Sequence, residues 1–493
     1  MFEALETGKS IKGSDFAKLR DALRPRLIQA QLALARANYS VIMVIAGFDG
    51  AGKGALVHRI NEWMDPRRID TNAFWQHSDE EQSRPRYWRY WRHMPPKGQI
   101  GIMMGSWYQA CGYDGISESL SSEELALELQ EIEAFERMLT DDGTLLIKVW
   151  LHVSRDRQNM QLREEAPLKM QNPRVPADPD AWWDKYPEAL EVSAQLITAT
   201  DSSHSPWHLV EANNPNYRDI TVAQIIVDAM TGHAARLAAD TPPEQPALVD
   251  HRKGQPTVLD NVDLSQALDR DEYKIKLRKQ QDKLQDLAWD LNAQQRSVIA
   301  VFEGWDAAGK GSAIRRVTQA IDPRLYKLVQ YAAPSDEERA QHYLWRFWRN
   351  LQRDGRSTLF DRSWYGRVLV ERVEGFARQD EWKRAYNEIN MFEKQLVDHG
   401  NIVVKFWIHI SPDEQLARFK ARENEPHKHY KITDEDWRNR EKWEDYALAV
   451  EDMVAHTSTH HAPWTLVAGN NKLWARIDIL KTLCSAIKKE LKG

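Results

Sequence analysis

Only two cysteines, Cys111 and Cys484, occur in 493 residues. That excludes a disulfide framework and a four-cysteine zinc site. No run of about 18 apolar residues appears, so no membrane span is expected. The opening residues, MFEALETGKS, lack the basic-then-apolar pattern of a secretory signal. A basic excess is missing too. The formal net charge is -6, whereas non-specific nucleic-acid binding favours a basic chain. Together these absences point to a cytoplasmic enzyme with neither a nucleic-acid nor a membrane partner. A polyanionic ligand then requires positive charge concentrated locally.

What is present is a repeat. VIMVIAGFDGAGKG (Val41 to Gly54) matches VIAVFEGWDAAGKG (Val298 to Gly311) at an offset of 298 − 41 = 257 residues. The same offset pairs Asp65-Pro66 with Asp322-Pro323, and Trp88 to Arg92 with Trp345 to Arg349. It also pairs Ser106-Trp107-Tyr108 with Ser363-Trp364-Tyr365, and Ser205-Pro206-Trp207 with Ala462-Pro463-Trp464. A constant offset over such a span means two copies of one domain. The expected domains are 1–239 and 260–493. The proline-bearing stretch 240–259, with Pro242, Pro243, Pro246 and Pro256, reads as a linker. Two fused copies also leave a homo-oligomer open.

Each copy alternates strands and helices. In copy two, Leu277, Leu284, Ala288 and Leu291 recur at helical spacing. A β-branched run from Ser297 to Phe302 reads as a buried strand, and a helix is expected from about Lys310. Thr358 to Phe360 and Ile402 to Ile410 read as further strands, with a helix over Trp382 to Val397 between them. The expected class is α/β: two tandem P-loop kinase-like domains, each a parallel sheet flanked by helices.

Gly304-Trp305-Asp306-Ala307-Ala308-Gly309-Lys310-Gly311 follows a strand and opens a helix, the setting a phosphate loop requires. Gly304, Ala308, Gly309, Lys310 and Gly311 are expected to bind phosphate, through backbone N–H groups, the helix N-terminus and the lysine charge. The Ser or Thr that usually follows the lysine and holds magnesium is Gly311 here, and Gly54 in copy one. Asp306 is therefore expected to contact Mg2+ directly or through water, or to orient the acceptor phosphate; an Asx turn is the plainer alternative. Asp361 ends a strand beside the loop, the usual place of a second magnesium anchor. Arg362, Arg367 and Arg372 follow, and arginine forks suit phosphate. Asp306, Lys310, Asp361, Arg362, Arg367 and Arg372 form the expected catalytic set. Arg418 and Arg422, then Lys428 and Lys431, are expected on a lid that closes over phosphate and excludes water.

The copies differ where it matters. Asp361 aligns with Met104, Arg362 with Gly105, Arg367 with Ala110 and Arg372 with Gly115. Arg418 aligns with Gln161 and Arg422 with Glu165. Phosphoryl transfer depends on positioning and charge neutralisation. Copy one is thus expected to be catalytically weak or dead, with a structural, interface or ligand-holding role.

These residues together resemble the polyphosphate kinase 2 family. The resemblance rests on GxDxxGKG, DRSWYGR (Asp361 to Arg367), VERVEGF (Val370 to Phe376) and the pattern from Arg418 to Lys431 leading to Asp436-Trp437. It covers nearly all of copy two and, in decayed form, most of copy one. The fused arrangement is similar to the subclass that phosphorylates AMP to ADP with inorganic polyphosphate. The resemblance implies a P-loop kinase fold, magnesium, and inorganic polyphosphate and AMP as partners. Three alternatives stay open: a polyphosphate kinase using ADP or GDP, an ATP-dependent nucleoside monophosphate kinase, and a tandem phosphate-binding regulator.

Overall fold

The computed structural model describes residues 1–111, 120–165, 179–239, 255–424 and 434–492. One compact unit comprises Met1–His77, Arg89–Pro243 and Arg339–His342; the other comprises Ser78–Trp88, Glu244–Glu338 and Tyr343–Gly493.

The first unit holds strands β1 (Val41–Gly47), β2 (Ile69–Ala73), β3 (Ile100–Met104), β4 (Leu145–His152) and β5 (Trp207–Glu211). They form a sheet in the order β2-β3-β1-β4-β5, parallel at every pairing. The second unit holds β6 (Val298–Gly304), β7 (Tyr326–Gln330), β8 (Ser357–Asp361), β9 (Ile402–His409) and β10 (Trp464–Ala468). Its order, β7-β8-β6-β9-β10, is the same, again all parallel.

Burial explains which segments were legible as strands. In the centre, β6 buries every residue before Gly304 and β9 buries all eight of its own. Strands covered on both faces have no polar side, so they are near-continuous apolar runs. Burying one such Val, Ile or Phe contributes about 1.5–3 kcal/mol. The edge strand β7 reads Tyr-Lys-Leu-Val-Gln and exposes much of its length. The helix Arg270–Ala293 starts where Asp269 accepts hydrogen bonds from the N–H groups of Asp271 and Glu272. It buries Leu284, Ala288 and Leu291 of the expected stripe together with Tyr273 and Leu287, while Leu277 is half-buried. The aromatic residues of WRYWR and WRFWR are core: Trp88, Tyr90, Trp91, Trp345, Phe347 and Trp348 are all buried.

Both units carry the same buried polar cluster behind the sheet. Lys405 Nζ donates to Glu393 Oε2 (2.7 Å), Tyr365 OH (2.7 Å) and the Thr457 carbonyl (2.8 Å). Trp364 and Tyr365 donate to Glu393 Oε1. Lys148, Glu136, Tyr108, Trp107 and Thr200 repeat this arrangement in the first unit. The lysine uses three donors and the carboxylate both oxygens, so the desolvated charges are compensated. The cluster fixes the Trp364–Arg367 turn that follows β8.

Because β6 pairs with both β8 and β9, the carboxyl ends of β6 and β8 emerge side by side. Phe302 stands opposite Asp361, so Gly304 and Asp361 leave the same edge of the sheet. Ligands of open α/β sheets gather at that edge.

Candidate phosphoryl-transfer site

Local packing dictates the glycines of the loop. Gly304 has φ 146°, and a Cβ there would lie 2.5 Å from the Ile408 carbonyl oxygen. Gly309, at φ 114°, begins the helix Lys310–Thr318, whose N-terminus no side chain caps. The first N–H groups of that helix are thus presented to a ligand, and the helix adds partial positive charge. Lys310 Nζ folds back onto the carbonyls of Gly304 (2.6 Å) and Trp305 (3.2 Å).

Trp305 pins the loop from one side. Its ring stacks on Trp443 at 3.6 Å and 8° between planes. Its Nε1 donates to His409 Nδ1 at 2.9 Å. An accepting Nδ1 belongs to a neutral imidazole, and burial indeed pushes His409 down to about 4.

Asp306 lies in the middle of the loop. Asn439 Nδ2 donates to its Oδ2 at 2.9 Å, and Arg362 Nη2 stands 3.6 Å from its Oδ1. Gln415 Nε2 donates to its carbonyl at 3.1 Å. Asp361 ends β8, half-buried, and Arg362 follows at φ 64°, with its N–H on the Phe302 carbonyl. A non-glycine residue in that region is strained and persists where its surroundings over-determine it. Ala307, within the loop, is at φ 62°.

Glu303, the residue before Gly304, is an acid that sequence reasoning missed. It is buried, and Ser363 Oγ donates to its Oε1 at 2.8 Å. Burial pushes its carboxyl up, against the pull of nearby Lys310 and the Ser363 hydrogen bond. A signal did exist: a lone acid in an apolar strand, where copy one has Ala46. Asn439 was missed as well, since nothing in a polar helix marks one amide as special.

One cavity gathers Glu303, Gly304, Asp306, Lys310 and Arg362, with Leu369, Trp407 and Tyr446 supplying an apolar wall. Arg367 and Arg372 are not among its walls. Arg367 pairs with Glu371 at 3.1 Å and lies over the Tyr343 ring. Arg372, expected in the catalytic set, is bound elsewhere. It pairs with Asp452 at 2.8 Å, donates to Tyr386 OH and stacks on Trp382. Its guanidinium packs helices together.

Arg418 also departs from expectation. Instead of covering the phosphates, it lies under the loop, on the buried face of the helix Pro412–Glu423. All five of its donors are engaged: with Glu414, and with the carbonyls of Ala307, Ala308, Gly469 and Asn470. The physical reason is helix phase: position 418 turns inward toward the loop backbone. Lys428 and Lys431 lie outside the described residues; Arg422 is half-buried, one turn beyond Arg418.

Copy one keeps the cradle and changes its surroundings. Gly47, Gly50 and Gly52 all have positive φ, and Lys53 Nζ donates to the Gly47 carbonyl at 2.6 Å. Here, however, Lys53 also pairs with Asp49 at 3.0 Å. Arg218 Nη1 presses on the loop, 1.9 Å from where a Cβ on Gly52 would sit. Gly105 occupies the place of Arg362 with φ 66°. The same backbone shape is thus held by glycine in copy one and by strained arginine in copy two.

Comparison with known proteins agrees with the repeat. The family model described as Polyphosphate kinase 2 (PPK2) matches residues 11–237 and again 267–493. A protein of Pseudomonas aeruginosa named "Polyphosphate:AMP phosphotransferase" is 45% identical over 498 residues, covering 100% of this chain and 99% of the relative. One of the same name from Pseudomonas syringae pv. tomato is 42% identical, covering 99% of this chain and 98% of the relative. A solved structure, described as a putative polyphosphate kinase 2 from Pseudomonas aeruginosa PA01, superposes with a TM-score of 0.87 at 45% identity, with both chains covered fully.

Proposed function

The chain belongs to the polyphosphate kinase 2 family, and from that premise we propose that its second copy transfers a phosphoryl group from inorganic polyphosphate to AMP, giving ADP. The observation that carries the assignment to copy two is Arg362 in strained backbone between Asp361 and the loop, where copy one has Met104 and Gly105. The full-length relatives named for this activity support the choice of donor and acceptor.

In the transfer, an oxygen of the AMP phosphate bonds to the terminal phosphorus of polyphosphate. The bridging P–O bond breaks, and its electrons leave with the shortened chain. Both substrates are anions, so the protein must hold charge against charge. Lys310 and N–H groups of the loop and of the helix start bind phosphate oxygens, whereas the Ala308 N–H, expected among them, is held by the Trp305 carbonyl at 3.0 Å. Arg362 extends two-pronged hydrogen bonding toward the group in transfer. Arg422, Lys428 and Lys431 are assigned to a lid over the polyphosphate. Arg418 holds the loop's shape from beneath.

Magnesium fits the residues present. Among the described residues no group of three or more His, Cys, Asp or Glu comes together to cage a metal. Two carboxylates, Asp306 within the loop and Asp361 at the end of the adjacent β8, are hard oxygen donors. Mg2+ is commonly bound by one or two carboxylates plus substrate phosphates and water, and these two residues would hold it. When bound, it would neutralise charge on the phosphates. Among the described residues no helix is long and apolar enough to cross a membrane. Cys111 and Cys484 are both buried and are not joined in a disulfide, which suits the cytoplasmic setting we propose.

The test is donor and acceptor dependence. The chain is incubated with AMP, Mg2+ and polyphosphate, without ATP, and ADP is measured. ADP formation supports the proposal. No ADP, with product appearing only when ATP is the donor or when ADP or GDP is the acceptor, overturns it.

A further inference from the structure

We infer that Asn439 is a positioning residue that holds the loop carboxylate of Asp306 away from the loop lysine, Lys310, so that the ammonium remains available to phosphate. The inference rests on the function proposed above and concerns how its phosphate loop stays charged.

The two copies supply the comparison. Each loop carries an aspartate and, four residues later, a lysine: Asp49 and Lys53, Asp306 and Lys310. Opposite charges at that spacing reach one another readily. In copy one they do, at 3.0 Å. Both lysines donate to the carbonyl of the loop's first glycine, Gly47 or Gly304, at 2.6 Å; in copy two the further partner of Lys310 is the Trp305 carbonyl rather than the aspartate, and Asp306 is held elsewhere. Its Oδ2 accepts from Asn439, and its Oδ1 faces Arg362. Neither holder has a counterpart by residue type in copy one, where the same offset gives Trp182 and Gly105.

Asn439 is itself fixed. Tyr446 OH donates to its Oδ1 at 3.3 Å, so the amide nitrogen is the end aimed at Asp306. The next residue, Arg440, donates to Gln415 Oε1 at 3.1 Å and to the Pro412 carbonyl at 2.7 Å. Gln415 in turn donates to the Asp306 carbonyl. The helix Asp434–Glu441 thus holds the Asp306 side chain directly and touches its backbone only through Gln415, whose bond Gln158 repeats on the Asp49 carbonyl in copy one, so the side-chain hold is what sets copy two apart. A lysine already neutralised by a carboxylate offers phosphate little Coulomb attraction, and the carboxylate repels it. Removing the amide should let Asp306 relax toward Lys310 and close the loop to anions.

Calorimetric titration with inorganic tripolyphosphate in EDTA tests this without metal or turnover. Losing a hydrogen bond to a charged group is worth on the order of tenfold to a hundredfold in binding. Asn439→Leu should weaken tripolyphosphate binding by about tenfold or more. Tyr446→Phe, which keeps the ring and drops only the bond that orients the amide, should weaken it less, in the same direction. Adding Asp306→Asn to Asn439→Leu should restore binding to the wild-type level or above, because no carboxylate is left to quench the lysine. A structural role for Asn439 would not be rescued by a change at Asp306. Unaltered binding in Asn439→Leu, or a double variant as weak as the single, overturns the inference. Wild-type protein that does not bind tripolyphosphate overturns the loop reading and this inference together. Binding that follows the predicted pattern in a chain that makes no ADP would leave the inference standing and sink only the choice of acceptor or donor.

Discussion

Replacing Arg362 by glycine separates chemistry from stability. At φ 64° the arginine bears a left-handed penalty of roughly 1–2 kcal/mol, which glycine removes. Glycine gives back about 0.4–1 kcal/mol through a freer unfolded chain. The pairing with Asp306 is also lost. At 3.6 Å, with the arginine side chain 45% exposed, it is a screened contact worth about 0.2–1 kcal/mol. The terms nearly cancel, so Arg362→Gly should leave stability within about 1 kcal/mol of wild type. Arg362→Ala keeps the strain and loses the pair. It should be less stable than Arg362→Gly by roughly 0.5–1 kcal/mol, or about 1–4 °C in Tm, the reverse of the usual alanine–glycine order. Turnover should fall in both by about 10²–10³-fold, the effect of removing one preorganised donor from a developing anion. Thermal unfolding and steady-state ADP formation measure the two quantities. Undiminished turnover in Arg362→Gly would remove Arg362 from the chemistry. An alanine variant more stable than the glycine variant would refute the strain.

Two further predictions concern buried charge. Lys405→Met leaves Glu393 desolvated and without its counter-charge, and should cost about 3–5 kcal/mol in denaturant unfolding, while Lys405→Met with Glu393→Leu should recover most of it; an unaffected single variant would mean the cluster does not hold the fold. Glu303, pushed up by burial, keeps its proton to higher pH in the folded state than in the unfolded state. Its penalty is absent below the unfolded carboxylate value, about 4.3, and grows as pH rises toward the raised folded value. Glu303→Gln should therefore gain stability relative to wild type as pH increases through that window, as read from unfolding curves at several pH values; a constant difference would contradict a raised carboxyl.

The parts legible in the sequence are those that one rule of physics fixes locally. β6 and β9 are apolar because both faces of a central parallel strand are covered. Gly304 stands out because a backbone carbonyl occupies the space of its side chain. Asp361 could be placed at a strand end by counting from Thr358. β7 was not read as a strand, because Tyr326–Gln330 is a short, half-exposed edge with no apolar run. β10, Trp464–Ala468, shared a repeat match but is too brief to declare itself.

Side-chain direction was harder. Arg362 and Arg372 look alike as arginines near a loop. Only the folded chain shows that Tyr386, Trp382 and Asp452 claim the second. Arg418 and Arg422 sit one helical turn apart, and helix phase decides that Arg418 meets four backbone carbonyls. Asn439 lies 133 residues from Asp306, beyond the reach of any local pattern. The comparison of copies was the strongest guide, since it exposed Glu303 against Ala46 and Arg362 against Gly105.

The central claim is that one of two similar phosphate loops does the work. Its most direct test is ADP formation from AMP and polyphosphate, without ATP, by Lys310→Ala and Lys53→Ala variants of the full chain. Lys310→Ala should lose activity by at least about 10²-fold while Lys53→Ala changes little. Equal losses in the two variants, or a larger loss from Lys53→Ala, would contradict it.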